Sequence, residues 1–348
     1  MDRIAALVDD ALAAGLGSAA AVSVGDAGVE VFRLVRGHTR RVPDRGELID
    51  DHTPFDLASL TKPMATVALA MIEVGNGMLD LDEKIRDRWQ TARSEGTIRQ
   101  LLAHCAGCAA HVEFFHALRG ARPHDPHRDL VERAATEPCA PPGVAAVYSD
   151  LGFILLGGIL GHTLAHAFER EVAMPLELSA RYAFQPIDGA VATELDERGL
   201  VCGLVHDENA YYGGRACGHA GLFGSIDDVA KFAAAMVALA NGERRGRFDP
   251  DVVRHFFTSA PLPGSPWRLG WDTPSPIPGV SQAGDRWPRA HAVGHTGFTG
   301  TSLWLDLANR RWCALLTNRV HPTRHAATAD AIKTLRRAVN DAVIDALT

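Results

Sequence analysis

The strongest constraint on how this chain folds is the segment that starts at Ser59. Its apolar residues Met64, Val67, Ala68, Met71 and Ile72 recur at i, i+3, i+4 spacing, and Gly75-Asn76-Gly77 supplies C-capping residues. The spacing predicts a buried helix that begins at the serine, around which the rest of the chain must pack. Pro63 falls at the edge of the first turn, where a missing backbone donor costs least. With 348 residues and 47% of them apolar, the chain can build a core large enough to enclose such a helix.

Sheet signals lie on both sides of it. Ile4, Leu7, Val8, Ala11 and Leu12 predict an N-terminal helix, and the run Ala19 to Val24 a strand. Gly25-Asp26-Ala27-Gly28 then turns the chain into a second strand from Val29 to Arg33. Far downstream, Thr301 to Leu305 and Trp312 to Leu316 predict another hairpin across Asp306 to Arg311. A helix is expected over Ile226 to Leu239. A terminal amphipathic helix is marked by Ile332, Leu335, Val339 and Val343, with Thr323 after Pro322 as its cap. Residues 79–207 read as short helices broken by Pro and Gly. The Pro/Gly-rich stretch from Pro261 to Pro288 reads as surface loops with a short strand at Leu269 to Trp271. The expected fold is therefore α+β: an antiparallel sheet flanked by helices, formed by residues 1–78 and 208–348, with a mainly helical region at 79–207.

The first turn of the Ser59 helix carries Ser59-Leu60-Thr61-Lys62. Residues three apart share a helix face, so the Lys62 amine can reach Ser59 Oγ, and the helix N-terminus offers N–H groups to a developing oxyanion. Nucleophile, base and part of an oxyanion hole thus come from one turn. By itself S-x-x-K recurs by chance in chains of this length. Two later elements give it weight: Tyr148-Ser149-Asp150, after Pro141-Pro142-Gly143, and His295-Thr296-Gly297, just before a predicted strand.

In order and spacing these three elements resemble the S-x-x-K, Y-x-N and K-T-G or H-T-G set of class C β-lactamases, D-Ala-D-Ala carboxypeptidases and related esterases. LLAHCAGC (Leu101 to Cys108) is similar to that superfamily's LLxHTSGL segment, and GHAGLFGSIDDVAKF (Gly218 to Phe232) and LTNRVHP (Leu316 to Pro322) resemble further stretches of it. The resemblance implies a β-lactamase/transpeptidase-like fold and a serine hydrolase acting through an acyl-enzyme on an ester or amide. Ser59 would be the nucleophile, with Lys62 and Tyr148 sharing proton transfer. The backbone N–H groups of Ser59 and Phe298 would bind the oxyanion, with Thr296 and Gly297 beside them. His295 replaces the more frequent lysine and, neutral or charged, would tune Tyr148 or hold a substrate carboxylate. Asp150 replaces the asparagine, either removing an amide donor for substrate or keeping a structural bond to Lys62, which ranks ester hydrolysis ahead of β-lactam hydrolysis. His104 is expected to make a structural hydrogen bond, and His219 either to touch substrate or to pack its loop.

The resemblance implies no metal or organic cofactor, and the expected substrate is a small ester, amide or peptidoglycan-like peptide. The alternative is a penicillin-binding sensor or scaffold that acylates without turnover. A net charge of −7 with no basic stripe argues against nucleic-acid binding, and the longest apolar stretch, Leu151 to Gly161, is too short to span a membrane. The first residues do not read as a signal peptide and the cysteines are scattered. A cytoplasmic location is expected, or a periplasmic or extracellular one if the recorded start is not native. Cys105-x-x-Cys108 lacks a redox-fold context, and the pairs His124/His127 and His162/His166 lack a third ligand, so all three read as structural or solvated.

Overall fold

The computed structural model describes residues 1–121, 123–161, 163–214 and 216–348. His162, and with it the His162/His166 spacing, lies outside the described residues. Among those described, no cluster of His, Cys, Asp or Glu has the makings of a metal site, and no single helix is long and apolar enough to cross a membrane.

Ten strands form. They are β1 (Ala19–Asp26), β2 (Val29–Gly37), β3 (Phe55–Asp56), β4 (Arg181–Tyr182), β5 (Ala192–Asp196), β6 (Gly199–Cys202), β7 (Leu222–Gly224), β8 (Ala292–Thr296), β9 (Ser302–Asp306) and β10 (Arg311–Thr317). The main sheet runs β2-β1-β10-β9-β8, antiparallel throughout, so N- and C-terminal strands meet at its centre.

Side chains alternate along each strand, and here both faces are covered. On one face Ala20, Val22, Cys313, Leu315 and Trp304 pack with Ile4 and Val8 of the N-terminal helix (Asp2–Ala13) and with Ile332, Val339 and Val343 of the C-terminal helix (Ala326–Leu347). On the other face Ala21, Ala314, Leu316 and Leu303 join a larger core. That core takes in the Ile226–Ala240 helix, the segment following Ser59, and Leu101, Leu130 and Phe153 from the helical region. Ser225 starts the Ile226–Ala240 helix with a reciprocal capping box to Asp228, whose carboxylate also holds Ser179 N at 2.6 Å.

Several local expectations change. The stretch 79–207 carries three short strands besides its helices: β4 pairs with β7, which also pairs with β3, and β5 pairs with β6. β3 and β4, of two residues each, leave no periodicity to read. Leu269 to Trp271 form no strand; Asp272 and Gly294 instead make a lone two-bond bridge of 2.8 and 2.9 Å. The loops from Pro261 to Pro288 are not merely superficial, since Leu269, Trp271, Ala283 and Trp287 are buried. Thr323 does not cap the last helix, which begins at Ala326 without a side-chain cap. Leu195 N bonds Pro322 O and Arg324 N bonds Glu194 Oε1, pinning 322–324 against β5 and delaying the helix.

The Ser59 helix forms, but not as one regular α-helix. A 3-10 turn over Ala58–Leu60 leads into a wide π-type segment, Lys62–Val67, and only then into α-helix, Ala68–Gly75. Pro63 cannot donate to the Ser59 carbonyl, so the regular ladder is interrupted where the chemistry would be.

Candidate active site

In the turn where the helix starts, side chains three apart nearly eclipse, which sets Lys62 over Ser59. Lys62 Nζ lies 3.0 Å from Ser59 Oγ, 2.7 Å from Asp150 Oδ1 and 3.2 Å from the His219 carbonyl. Each proton of an ammonium has an acceptor. Lys62 is 0% exposed. Burial disfavours its charge, but Asp150 and Tyr148 outweigh burial and its pKa lies above the ordinary lysine value.

Two elements bring Asp150 and Tyr148 to this point. Ser149 caps the Asp150–Leu160 helix by accepting from Gly152 N at 3.0 Å, which places the Asp150 carboxylate at the positive helix end. Burial would raise the Asp150 pKa, yet the Lys62 charge, with hydrogen bonding by His111, holds it well below the usual carboxylate range. Of the two readings of Asp150, the bond to Lys62 is present.

Tyr148 interacts through its hydroxyl with both Ser59 and Lys62, and the Lys62 ammonium sits 4.9 Å from its ring centroid. Burial, partly offset by Lys62, raises its pKa. His104 makes the structural bonds expected of it: its Nδ1 accepts from Ser149 N at 3.0 Å and its carbonyl from Val147 N at 2.8 Å.

The third element sits at the end of β8. Gly297 N bonds the Thr301 carbonyl at 2.7 Å, closing a tight turn, while Thr299 and Thr301 hydroxyls donate to the carbonyls of Asp56 and Leu57. A Cβ at Gly297 would lie 2.7 Å from Leu57 O and 2.1 Å from Thr301 Oγ1, so only glycine permits this approach. The turn is thereby clamped to the residues just before Ser59. Ala58 there has φ 48°, an unfavourable left-handed conformation, and its N–H is held by Asp56 Oδ1 at 2.8 Å. Among the described residues neither Ser59 N nor Phe298 N donates to another backbone or side-chain group, which leaves both free for an oxyanion.

His295 is 2% exposed, and burial together with the Lys62 charge pushes its pKa down to about 3, which favours the neutral imidazole. A carbonyl only accepts, so Nδ1 donates to Thr296 O (2.9 Å) and Nε2 keeps a bare lone pair without a partner. In these surroundings the neutral alternative is the favoured one, with Nε2 as a hydrogen-bond acceptor. His219 lies behind the cleft rather than in it: at 1% exposure it pairs with Asp207 at 2.9 Å and contributes its carbonyl to Lys62.

These groups open into a cleft of about 600 Å³. Ser59, Tyr148, Asp150, His295, Thr296, Gly297 and Phe298 all line it, and Phe298 is half exposed. Other lining residues carry no motif: Trp267, whose ring stands 5.2 Å from Tyr148; Asp272, pushed up to about 7 by burial; Gln282, Arg319 and Arg336. Of these, Arg319 falls in the family-like stretch LTNRVHP; Ala220, which also lines the cleft, falls in GHAGLFGSIDDVAKF. Arg336 donates to the Gly297 and Thr301 carbonyls and Arg319 to Phe298 O, so both brace the glycine turn from outside.

A three-element serine site on a sheet joined at its centre by both ends of the chain defines a class, and sequence comparison agrees. Residues 4–336 match the Beta-lactamase family, and the chain belongs to it. It is 28% identical over 361 residues to a Bacillus subtilis (strain 168) N-acetylmuramyl-L-alanine amidase, covering 92% of this chain and 81% of the relative. It is 30% identical over 312 residues to a putative D-alanyl-D-alanine carboxypeptidase of Escherichia coli (strain K12), covering 77% of this chain and 70% of the relative. Among solved structures, EstCE1, a hydrolase with promiscuous acyltransferase activity, shares the fold with a TM-score of 0.72 at 19% identity, over 99% of this chain and 98% of that one. The protein is a serine hydrolase of the β-lactamase/penicillin-binding-protein superfamily.

Proposed function

We propose that the protein cleaves a D-Ala-D-Ala-type peptide or a related ester through an acyl-enzyme on Ser59. The observation that carries this reading is the buried Lys62 ammonium, 3.0 Å from Ser59 Oγ and saturated with acceptors. A saturated ammonium donates to Ser59 rather than taking its proton. The Tyr148 oxygen, in its ionised form beside Lys62, is then the acceptor. Ser59 Oγ forms a bond to the substrate carbonyl carbon as its proton passes to Tyr148, and the Ser59 and Phe298 amides hold the oxyanion. The proton moves on to the leaving nitrogen or oxygen as its bond to carbon breaks. Water repeats the sequence to free Ser59. Because burial raises the Tyr148 pKa, the active form is the minor one at neutral pH and activity rises with alkalinity.

Two features favour a substrate with a terminal carboxylate. Among the described residues, Arg319 and Arg336 line the cleft without a carboxylate partner, whereas Arg324 beside them is paired with Glu194 and Glu208. The name of the carboxypeptidase relative points the same way. The test is incubation with an activated ester, a D-Ala-D-Ala peptide, a penicillin and a cephalosporin, followed by intact mass and product analysis. Turnover of ester and peptide ahead of cephalosporin is expected, and Ser59→Ala should lower it by more than about 10⁴-fold with loss of the adduct. Covalent labelling at another residue would refute the assignment, and a stable adduct without product would identify a sensor instead.

A further inference from the structure

His111 is attached to the site but has no part in the chemistry above. It follows the loop after the Ile98–Leu102 helix, and 46% of its side chain is exposed at the cleft rim. Its Nδ1 lies 3.2 Å from Asp150 Oδ2, while the other oxygen of the same carboxylate holds Lys62 at 2.7 Å. A buried ammonium, a carboxylate and a solvent-facing imidazole thus stand in a row. The row is fixed from below: the Ala109 carbonyl accepts from Ser149 Oγ (2.6 Å) and the Ala110 carbonyl from Asp150 N (2.8 Å), so the two residues before His111 are anchored to the two that carry its partner.

We propose that His111 is a positioning residue which sets the proton affinity of the Lys62–Tyr148 pair through Asp150, so that acylation of Ser59 responds to the charge on this imidazole. The proposal rests on the acyl-transfer reading. The charged groups acting on His111 are Asp150, Asp207 and Glu113, with Lys62 behind Asp150, His219 paired to Asp207, and His116 paired to Glu113. The hydrogen bond to Asp150, then the charges of Asp150, Asp207 and Glu113, outweigh partial burial and raise the His111 pKa. While His111 is charged, its field adds to that of Lys62 and makes the Lys62–Tyr148 pair easier to deprotonate. Once His111 loses its proton, Asp150 acts on Lys62 alone and the pair is harder to deprotonate. The alkaline rise in rate is therefore broken by a second, opposing ionisation at or above the ordinary histidine range.

The experiment follows the acylation of Ser59 by p-nitrophenyl acetate from low to high pH, with the adduct confirmed by intact mass. The wild type is expected to show two ionisations and His111→Gln one, with the variant about three- to tenfold slower on the acid side, the size of a one-half to one-unit pKa change. His111→Lys, charged throughout, should keep the acid-side rate and also lose the break. A parallel measurement needs no turnover: in NMR titrations the His111 imidazole should titrate lower in Asp150→Asn and higher in Lys62→Met. Identical profiles in wild type and His111→Gln, or a His111 titration unmoved by Asp150→Asn, would overturn the proposal. If no Ser59 adduct forms in the wild type, it is the acyl-transfer reading that fails, and the titrations alone decide the linkage.

Discussion

Ser59 and Trp267 both line the cleft, and their surroundings are held in different ways. The wall carrying Ser59 is tied through the backbone: Thr299 and Thr301 reach the carbonyls of Asp56 and Leu57, Gly297 touches Leu57, and Asp56 fixes Ala58 N and His206 N at 2.8 and 2.7 Å. The wall carrying Trp267 is a loop whose backbone is held beyond the tryptophan, by Leu269 N to Phe256 O (3.2 Å), Gly270 N to Leu102 O (2.8 Å) and the bridge at Asp272, while the Trp267 ring packs on His104 and Tyr148. The first can tolerate little displacement because a backbone shift moves the oxyanion donors. The second can change its side chains while the reacting groups stay put, which suits a surface that selects substrates.

The sharpest way to break this comparison is Gly297→Ala. The added Cβ has no room against Leu57 O, so the turn must separate from the nucleophile, and kcat is expected to fall about 100-fold. An unchanged kcat would show that the clamp is dispensable. A smaller effect concerns acid stability. The folded pKa of His295 is depressed to about 3 from an ordinary 6.5, so its contribution is full above the unfolded value and is lost progressively as pH falls from about 6.5 toward 3. At pH 5 this amounts to about 2 kcal/mol, read as a lower urea midpoint than at pH 7.5. His295→Gln should flatten that dependence, and a variant as acid-sensitive as the wild type would place the weakness elsewhere, in buried His104 for example. Smallest of all, Trp267→Ala should alter KM between substrates by about threefold to tenfold with little change in the alkaline rise of kcat. An equal loss of kcat for every substrate would mean that Trp267 belongs to the rigid wall through its packing on Tyr148 and His104.

The rigid wall is also the one that the sequence spells out. Ser59-x-x-Lys62, Tyr148-x-Asp150 and His295-Thr296-Gly297 are short strings whose chemistry depends on local backbone geometry, so composition and spacing reveal them. The strands β1, β2, β9 and β10 are equally legible, because runs bounded by turn residues leave few alternatives. What escaped depends on tertiary contact. Strand β8, which follows the Pro/Gly-rich stretch, has only five residues, and β4 is two residues long. The protonation of His295 could not be decided without knowing that Lys62 lies buried nearby. Likewise His111 sits 39 residues from Asp150, and no periodicity links an exposed loop histidine to a helix N-terminus.

The sheet order joins strands that lie far apart along the chain. Strand β1 pairs with β10, and the turn that grips Leu57 begins at Gly297. A ribosome-bound chain that has just exposed Ser59 and Lys62 therefore owns a serine and a lysine but neither the second oxyanion amide nor the clamp that places the first. The backbone around Ser59 is thus complete only after the segment through Thr301 has been made, and loss of β8 to β10 is expected to remove the site outright.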